Sequence, residues 1–335
     1  MATIKSIRFK NFKVLRDCEL PLSQFTLIIG PNGSGKSTAL ESVKAILSKL
    51  DWDSMVAAGV RGQRDQCIEV VQEWGGLRDS VILGRRWSAN GEDHPISADT
   101  GGPNGVPRTR LEDKLARTRV FALDPRCLYQ NVQLAPDQEL EADGTRLAGV
   151  VDRLRDEAPD RFRLLNEELH RWIPEFDHVL FSTPYPGKRC LALRTTVGHH
   201  KITAGDLSQG TLLALAILTI ASLADPPPIL GLEEPNRGLH PRLLRDVRDA
   251  MYRLAYPDQY GDKREPVQVI ATTHSPYMVD LFRDHPEEIV IAQRVGDNVK
   301  FERLSDRPNV EEIIQDARLG DLWYTGVLGG VPAEP

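Results

Sequence analysis

The fold of this chain is decided by one stretch, Gly30-Pro31-Asn32-Gly33-Ser34-Gly35-Lys36-Ser37-Thr38. It matches the phosphate-binding pattern G-x-x-x-x-G-K-[ST] at every position. An apolar run at 25–29 precedes it and a helix-compatible run at 39–50 follows it, which is the strand–loop–helix context that the pattern needs. Glycines let backbone N–H groups curl around a phosphate chain. The stretch therefore predicts a site for a nucleoside triphosphate.

Two side chains of this loop carry chemistry. Lys36 can reach the β- and γ-phosphates, and the Ser37 hydroxyl can be a ligand of Mg²⁺. The remaining candidates for phosphate contacts are loop residues, namely Gly30, Asn32, Gly33, Gly35 and Thr38.

Composition narrows the class of protein. The chain has 335 residues, 41% of them hydrophobic, with a net charge of −6 and a pI near 5.8. This composition is typical of a globular protein and disfavours a general nucleic-acid binder, although a local basic groove remains an alternative.

Four isolated cysteines suggest neither a zinc site nor a disulfide framework. The N-terminus has the pattern of a strand and the longest apolar run, 212–223, is too short for a bilayer, so we expect a cytoplasmic protein without membrane contact.

Strand and helix patterns alternate along the chain and predict an α/β fold. The predicted helices lie at 37–50, 143–172 (broken at Pro159) and 241–254, and residues 201–223 are predicted to form a turn and a strongly apolar helix. The predicted strands lie at 2–10, 14–20, 25–29, 67–74, 80–87, 120–123, 176–181, 189–196, 229–232, 267–272, 288–293 and 299–303. A turn at Gly75-Gly76 is predicted to join the hairpin 67–87, and 88–108 is predicted to be a long exposed loop.

A second candidate segment is Asp206-Leu207-Ser208-Gln209-Gly210-Thr211, which opens an apolar helix. Ser208 and the backbone N–H of Gly210 stand at the helix start, where an anion is favoured. Most short Ser-Gln-Gly turns are simply helix caps, and that alternative stays open.

Two adjacent carboxylates follow the buried strand 229–232. Glu233 can hold Mg²⁺, and Glu234 can accept a proton from an attacking water. The alternative is a charged turn after a core strand. The segment 236–241 continues this turn into a helix.

His274 follows another buried strand, within Thr272-Thr273-His274-Ser275-Pro276. A lone histidine is more often structural than catalytic. At the end of a strand that neighbours the carboxylate strand, a γ-phosphate contact is favoured.

The order of these segments resembles the ABC-type ATPase superfamily. Three sequence motifs of this chain are similar to those of the RecF/SMC/OLD branch of this superfamily and of AAA_15- and AAA_21-type ATPases. They are 7–13 (Ile-Arg-Phe-Lys-Asn-Phe-Lys), 233–241 (Glu-Glu-Pro-x-x-Gly-Leu-His-Pro) and 272–276. Most families of this kind carry Asp where this chain has Glu233. The resemblance covers about 1–50 and 200–330, and the middle of the chain matches loosely.

The resemblance implies a P-loop NTPase fold with an ABC/RecF-type head: a mixed sheet core, an antiparallel β subdomain and a helical insertion without a long coiled coil. It implies one head over 1–335, with a nucleotide-binding core of 1–50 and 200–335 and an inserted β/helical lobe of 51–200.

The resemblance also implies a homodimer, arranged head to tail, that sandwiches ATP and Mg²⁺; a higher oligomer is the alternative. Lys36 and Ser37 hold ATP from one copy, and Ser208 and Gly210 reach it from the other. Glu234 activates water and His274 senses the γ-phosphate.

The resemblance further implies that a loop glutamine completes the coordination of Mg²⁺. Gln130 is the candidate, and Gln133 and Gln72 are the alternatives. Asn11 and Lys13 match positions that touch nucleotide in relatives, and a plain surface turn is the alternative.

Three functions fit such an ATPase. The first is the regulatory ATPase of a prokaryotic antiviral defence system, with a separate nuclease or toxin as effector; the segment 319–330 resembles the tail of such ATPases and suits either partner docking or core packing. The second is a RecF-like DNA-repair ATPase, for which the basic runs 108–119 and 153–171 are candidates, although acidic residues interleave both. The third is the motor subunit of a transporter, which the sequences of the motifs disfavour.

Overall fold

The structure, a computed structural model, describes residues 2–47, 55–56, 67–76, 80–88, 92–99, 108–135, 138–308 and 310–329. The chain divides into two compact units. The first comprises Met1–Thr118, Pro227–Gly231 and Glu265–Pro335, and the second comprises Arg119–Pro226 and Leu232–Arg264. The division into a core of 1–50 and 200–335 with a lobe of 51–200 stays a prediction.

The strands are β1 (Thr3–Phe12), β2 (Leu15–Pro21), β3 (Phe25–Ile29), β4 (Cys67–Gly75), β5 (Val81–Ser88), β6 (Asp93–Asp99), β7 (Arg119–Phe121), β8 (Val132–Gln133), β9 (Phe176–Ser182), β10 (Lys188–Thr195), β11 (Lys201–Thr203), β12 (Ile229–Glu233), β13 (Gln268–Thr273), β14 (Ile289–Val295) and β15 (Asn298–Arg303). The α-helices are α1 (Lys36–Ser42), α2 (Arg108–Ala116), α3 (Pro125–Leu128), α4 (Leu147–Glu157), α5 (Pro159–Trp172), α6 (Gln209–Ser222), α7 (Leu244–Ala255), α8 (Pro276–Asp280), α9 (Val310–Asp316) and α10 (Leu319–Tyr324). Short 3₁₀ turns include Ala45–Leu47, Pro241–Leu243 and Pro286–Glu288.

An antiparallel sheet of the first unit has the strand order β2-β1-β4-β5-β6. Burial alternates residue by residue along β4, so one face of the strand packs inward and the other stays half-exposed. The predicted hairpin of 67–87 is confirmed, because β4 and β5 pair from Cys67 opposite Ser88 to Trp74 opposite Val81.

The predicted loop at 88–108 is wrong in part, because β6 lies within it and pairs with β5. This strand lies at the edge of the sheet and its described side chains are mostly exposed, so no apolar alternation marks it in the sequence. An edge strand also tolerates Pro95, which cannot donate a hydrogen bond to a neighbour. Residues 89–91 and 100–107 of the predicted loop lie outside the described residues.

A second sheet of the first unit is mixed, with the order β15-β14-β3-β13-β12. β13 and β14 flank β3 in parallel, whereas β15 pairs with β14 in the antiparallel direction. Every residue of β3 and β13 is buried, as expected for parallel strands covered on both faces. The predicted mixed sheet core is thereby confirmed.

Gln268 joins the two sheets of the first unit. This side chain is almost completely buried. Its Oε1 accepts a hydrogen bond from the Ile4 amide at 2.9 Å, and its Nε2 donates to the carbonyl oxygens of Ile4 and Ser23 at 2.7 and 2.9 Å. β1 is therefore fixed against the start of β13 by a fully bonded amide.

The helix after the glycine-rich loop is shorter than predicted. α1 ends at Ser42, and 48–50 lie outside the described residues. The Ser42 hydroxyl donates to the Ala39 carbonyl at 2.6 Å, and the Gln72 side-chain amide donates to the Val43 carbonyl at 2.8 Å. These polar contacts occupy carbonyl oxygens at the end of the helix and favour the tighter turn that follows, Ala45–Leu47.

The second unit is built around α6, whose residues from Thr211 to Ile220 are all buried. The predicted break at Pro159 is confirmed, since this residue begins α5. A small antiparallel sheet, β11-β10-β8 with β9 also paired to β10, completes the unit. In the described part of the chain the longest helices, α5 and α6, have 14 residues each, which agrees with a helical insertion lacking a long coiled coil.

Candidate active site

The glycine-rich loop leaves β3 and enters α1, as the sequence predicts. Gly33 and Gly35 have φ angles of 76° and 85°, a region that side chains rarely adopt. A side-chain carbon at Gly35 would also lie 3.0–3.3 Å from Leu15, Val14 and Val299. Both the backbone angle and the crowding therefore require glycine at position 35.

Lys36 lies within the loop rather than in solvent. Its Nζ donates to the carbonyl oxygens of Gly30 and Pro31 at 2.7 and 2.9 Å. The Ser34 hydroxyl is buried and has no hydrogen-bond partner among the described residues. A buried ammonium group beside an unsatisfied hydroxyl fits an anionic ligand such as a phosphate chain.

His274 leaves the mixed sheet at the same edge as the glycine-rich loop. β13 pairs in parallel with β3, and Thr273 lies opposite Ile29. Gly30 and His274 are the next residues of these two strands, so the sheet brings the loop and the histidine together. His274 is exposed, and Ser275 after it caps α8 by accepting a hydrogen bond from the Met278 amide.

Asn11 and Lys13 lie at the turn between β1 and β2, with φ angles of 56° and 52°. The Lys13 ammonium pairs with the Glu41 carboxylate of α1 at 2.7 Å, and Asn11 donates to the Cys67 carbonyl at 2.9 Å. This turn is therefore tied to the helix that follows the glycine-rich loop. A nucleotide contact by Asn11 or Lys13 stays a prediction.

Ser208 and Gly210 lie in the second unit, at the start of α6. Ser208 caps this helix, with its hydroxyl accepting a hydrogen bond from the Thr211 amide at 3.1 Å. The cap alternative is thus confirmed, and an additional anion contact by the exposed Ser208 stays a prediction. A side-chain carbon at Gly210 would lie 3.0 Å from the Gly238 carbonyl oxygen, so this helix start packs closely on the turn after the carboxylates.

The two carboxylates lie at the end of β12, whose last residues, from Leu232 on, belong to the second unit. Glu233 is the last residue of the strand, and Glu234 follows with a φ of 45°. A positive φ costs a residue with a side chain on the order of 1–2 kcal/mol. The Arg237 amide closes this turn by donating to the Glu234 carbonyl at 2.9 Å. Pro235, within this turn, is buried.

The Arg237 side chain links the carboxylate turn to the segment that carries Gln130. Its guanidinium donates to the Leu123 carbonyl at 3.1 Å. Hydrogen bonds from Arg126 lower the pKa of the neighbouring Asp124 to about 2, and the positive charge of Arg237 acts in the same direction. Asp124 is therefore ionised at neutral pH and caps α3, which precedes Gln130.

The three candidate glutamines differ in their surroundings. Gln130 is exposed, and its side-chain nitrogen lies 3.4 Å from the Arg126 carbonyl oxygen. Gln133 is exposed at the end of β8. Gln72 is completely buried, with its amide nitrogen donating to Val43. Gln130 as a metal ligand stays a prediction, and the buried position of Gln72 favours a structural role for that residue.

All five arginines of the run 153–171, and at least two of the five basic residues of the run 108–119, form ion pairs with carboxylates. The ion pairs are Arg108–Glu112, Arg119–Glu139, Arg153–Glu157, Arg155–Asp156, Arg161–Asp262, Arg163–Glu167 and Arg171–Glu168. Lys114 donates to the Ala2 carbonyl. This pairing agrees with the interpretation of both runs as solvated faces.

The C-terminal segment has a buried side and an exposed side. Leu319, Trp323 and Leu328 are buried, whereas Tyr324 and Val327 are 75% and 60% exposed. Core packing is therefore confirmed for part of this segment, and partner docking stays a prediction. Gly330 lies outside the described residues. Among the described residues, no helix combines the length and the apolar character needed to cross a membrane.

A family model matches residues 80–280 and carries the description "AAA domain, putative AbiEii toxin, Type IV TA system". The chain belongs to this AAA-domain family. A further model, described as an AAA ATPase domain, matches residues 3–80. The predicted resemblance to an ABC/RecF/SMC-like AAA ATPase is confirmed.

Relatives of this AAA protein include an OLD nuclease from Thermus scotoductus, 22% identical over 96% of this chain. The chromosome partition protein Smc of Methanococcus voltae is 40% identical over 198 residues, which make up 53% of this chain. The AAA protein spans 68% of the length of the nuclease and 16% of the length of this Smc.

Among solved structures, the SMC head domain from Thermotoga maritima matches with a TM-score of 0.51 and 18% identity, covering 90% of this chain and 98% of the head domain. The predicted ABC/RecF-type head fold of the AAA protein is confirmed.

Proposed function

We propose that this AAA protein binds and hydrolyses ATP, and that it acts as an ATP-dependent dimer switch controlling a separate nuclease or toxin effector in prokaryotic antiviral defence. One observation carries the nucleotide part of the proposal. The parallel pairing of β3 with β13 sets Thr273 opposite Ile29, so a phosphate-binding loop and a histidine leave the same sheet edge. This is where ligands bind in α/β proteins.

The chemistry would be divided among few side chains. Lys36 is already enclosed by the loop that would hold the β- and γ-phosphates, and Glu234 would orient water and accept its proton. His274 would contact the γ-phosphate. The side chains of Ser37, Glu233 and Gln130 offer oxygen atoms, which are the ligands that Mg²⁺ prefers. When bound, the ion would neutralise charge on the phosphates.

The dimer part of the proposal rests on the start of α6. Ser208 is exposed although it begins the helix whose interior forms the centre of the second unit. In a head-to-tail homodimer, Ser208 and Gly210 of one copy would complete the nucleotide site of the other. ATP would then hold the two copies together, and its hydrolysis would release them.

The defence part is supported by the family description, which names a toxin system, and by the relative that is an OLD nuclease. A second candidate is a DNA-associated role such as repair, which the similarity to an Smc protein favours. Binding to DNA with a steep dependence on salt would support this second candidate, whereas loss of toxicity control upon deletion from a strain carrying the effector would support the first.

The dimer switch can be tested with purified protein and the Glu234→Gln variant. We expect light scattering after gel filtration to show a dimer of this variant in ATP and Mg²⁺, and wild-type protein to return to its ATP-free state as it turns ATP over. A monomer under both conditions would refute the dimer, and unchanged turnover in the variant would refute the role of Glu234. A stable higher oligomer without nucleotide would refute the switch alone.

A further inference from the structure

The segment after His274 is one short turn of helix that is buried on its inner side. α8 begins two residues after the histidine, and both Met278 and Val279 are completely buried. Ser275 caps this turn. Because so few residues separate the histidine from α8, a shift of the helix displaces the histidine as well.

The C-terminal segment holds α8 through a close backbone contact. The Gly320 amide donates to Asp280 Oδ1 at 2.7 Å. A side-chain carbon at Gly320 would overlap the Pro276 carbonyl oxygen and lie 3.1 Å from Asp280 Cγ. α10 can approach α8 this closely only because position 320 carries no side chain.

Buried apolar side chains lie in both segments that make this contact. Leu319 and Trp323 of α10 are buried, as is Phe282 directly after α8. Burial of apolar side chains of this size stabilises the packing of both segments. α8 and α10 therefore form one packed element, although the Gly320 amide and the Asp280 carboxylate that join them are 40 residues apart in sequence.

We propose that the C-terminal helix α10 positions His274, with Asp280 and Gly320 as positioning residues for γ-phosphate contact. The inference rests on the proposed ATPase function. In this arrangement the tail fixes the place of the histidine, and a displaced tail slows hydrolysis while ATP still binds.

Paired substitutions at Asp280 test this inference. Asp280→Ala removes the acceptor, and we expect kcat for ATP hydrolysis to fall about 10-fold with KM within about twofold, because small displacements at a reacting centre are costly. Asp280→Asn keeps an acceptor oxygen and is expected to restore most of kcat. Asp321→Ala, at the neighbouring exposed carboxylate of α10, is the matched control and is expected to leave both constants unchanged.

Gly320→Ala displaces the same contact from the other side and provides a second variant if Asp280→Ala fails to fold. Hydrogen exchange of 273–280 is the readout that does not need turnover, and we expect it to accelerate in Asp280→Ala and Gly320→Ala but not in Asp280→Asn.

The outcomes separate the two proposals. Absence of ATP turnover in the wild-type protein would refute the proposed function, and hydrogen exchange would still decide the positioning role. Wild-type kcat together with wild-type exchange in Asp280→Ala and Gly320→Ala would overturn the inference. It would also be overturned if kcat, KM and stability all changed together without rescue by Asn.

Discussion

The glycine-rich loop and the carboxylate turn reach unusual backbone angles by different means. In the first unit, Gly33 and Gly35 adopt φ angles of 76° and 85° without a side chain to oppose them. In the second unit, Glu234 adopts a φ of 45° with its side chain in place. The glycines of the loop adopt a positive φ without support from other residues, whereas the carboxylate turn is supported by a hydrogen bond to a residue distant in sequence. Strain at Glu234 is tolerated because the surrounding contacts hold the turn in this conformation.

Glu234→Gln gives the largest expected effect. Glutamine cannot accept a proton from water, so turnover is expected to fall about 10²- to 10⁴-fold. ATP binding should stay within about twofold of the wild-type value, because the proposed phosphate contacts lie in the glycine-rich loop. Steady-state hydrolysis and binding of a fluorescent ATP analogue measure the two effects. Equal losses in both would show that the turn also holds nucleotide.

Lys36→Ala, in contrast to Glu234→Gln, should weaken ATP binding itself. Removal of the ammonium group is expected to weaken ATP binding about 10- to 100-fold, since a hydrogen bond to a charged group contributes about 1.5–3 kcal/mol. The same binding assay measures this loss. Lys300→Ala is the control, because this exposed lysine of β15 also lies in the first unit, is paired with Glu302 and is not a candidate for the nucleotide site. Equal losses of ATP binding in both variants would show that the effect of Lys36→Ala is not specific to the glycine-rich loop.

Gly35→Ala should destabilise the first unit by about 1–3 kcal/mol, because it combines a positive φ with crowding. Gly296→Ala is the matched control: this glycine also has a positive φ, 59°, but nothing lies within 4 Å of the added carbon. We expect the control to cost less. Urea unfolding measures both values, and equal costs would mean that crowding by Leu15, Val14 and Val299 contributes nothing.

Glu234→Gly and Glu234→Ala test strain in the second unit. Both remove the carboxylate, but only glycine adopts the positive φ freely, so the glycine variant should be more stable to urea by about 1 kcal/mol. Glycine is the native residue at position 35 and the introduced residue at position 234, and at both positions it is expected to be more stable than alanine. A more stable alanine variant would show that the turn relaxes and stores no strain.

Arg237→Ala gives the smallest expected effect, about a threefold loss of kcat, since the turn loses one hydrogen bond, from the Arg237 guanidinium to the neutral Leu123 carbonyl. Arg237→Lys keeps a donor for the Leu123 carbonyl and should lose less. The control is Arg245→Ala, at an exposed arginine of α7. Identical values for all three variants would show that the Leu123 contact does not support Glu234.

The strands and most helices follow from local patterns. The continuous apolar runs of β3 and β13, the alternation of β4 and the proline that begins α5 were all sufficient to predict these elements. The early end of α1 was missed, and one of the two side-chain contacts at that end comes from the Gln72 amide, 29 residues away from Val43. β6 was missed because an exposed edge strand needs no apolar alternation.

The phosphate loop, the order of the candidate site residues and the class of fold follow from the amino-acid sequence alone, because glycines, apolar periodicity and short motifs act over a few neighbouring residues. The hydrogen bonds from Arg237 to Leu123 and from Gly320 to Asp280, which span 114 and 40 residues, are visible only in the folded chain. Such pairs depend on how the elements pack, and no local pattern of residues records which carbonyl or carboxylate a distant donor will meet.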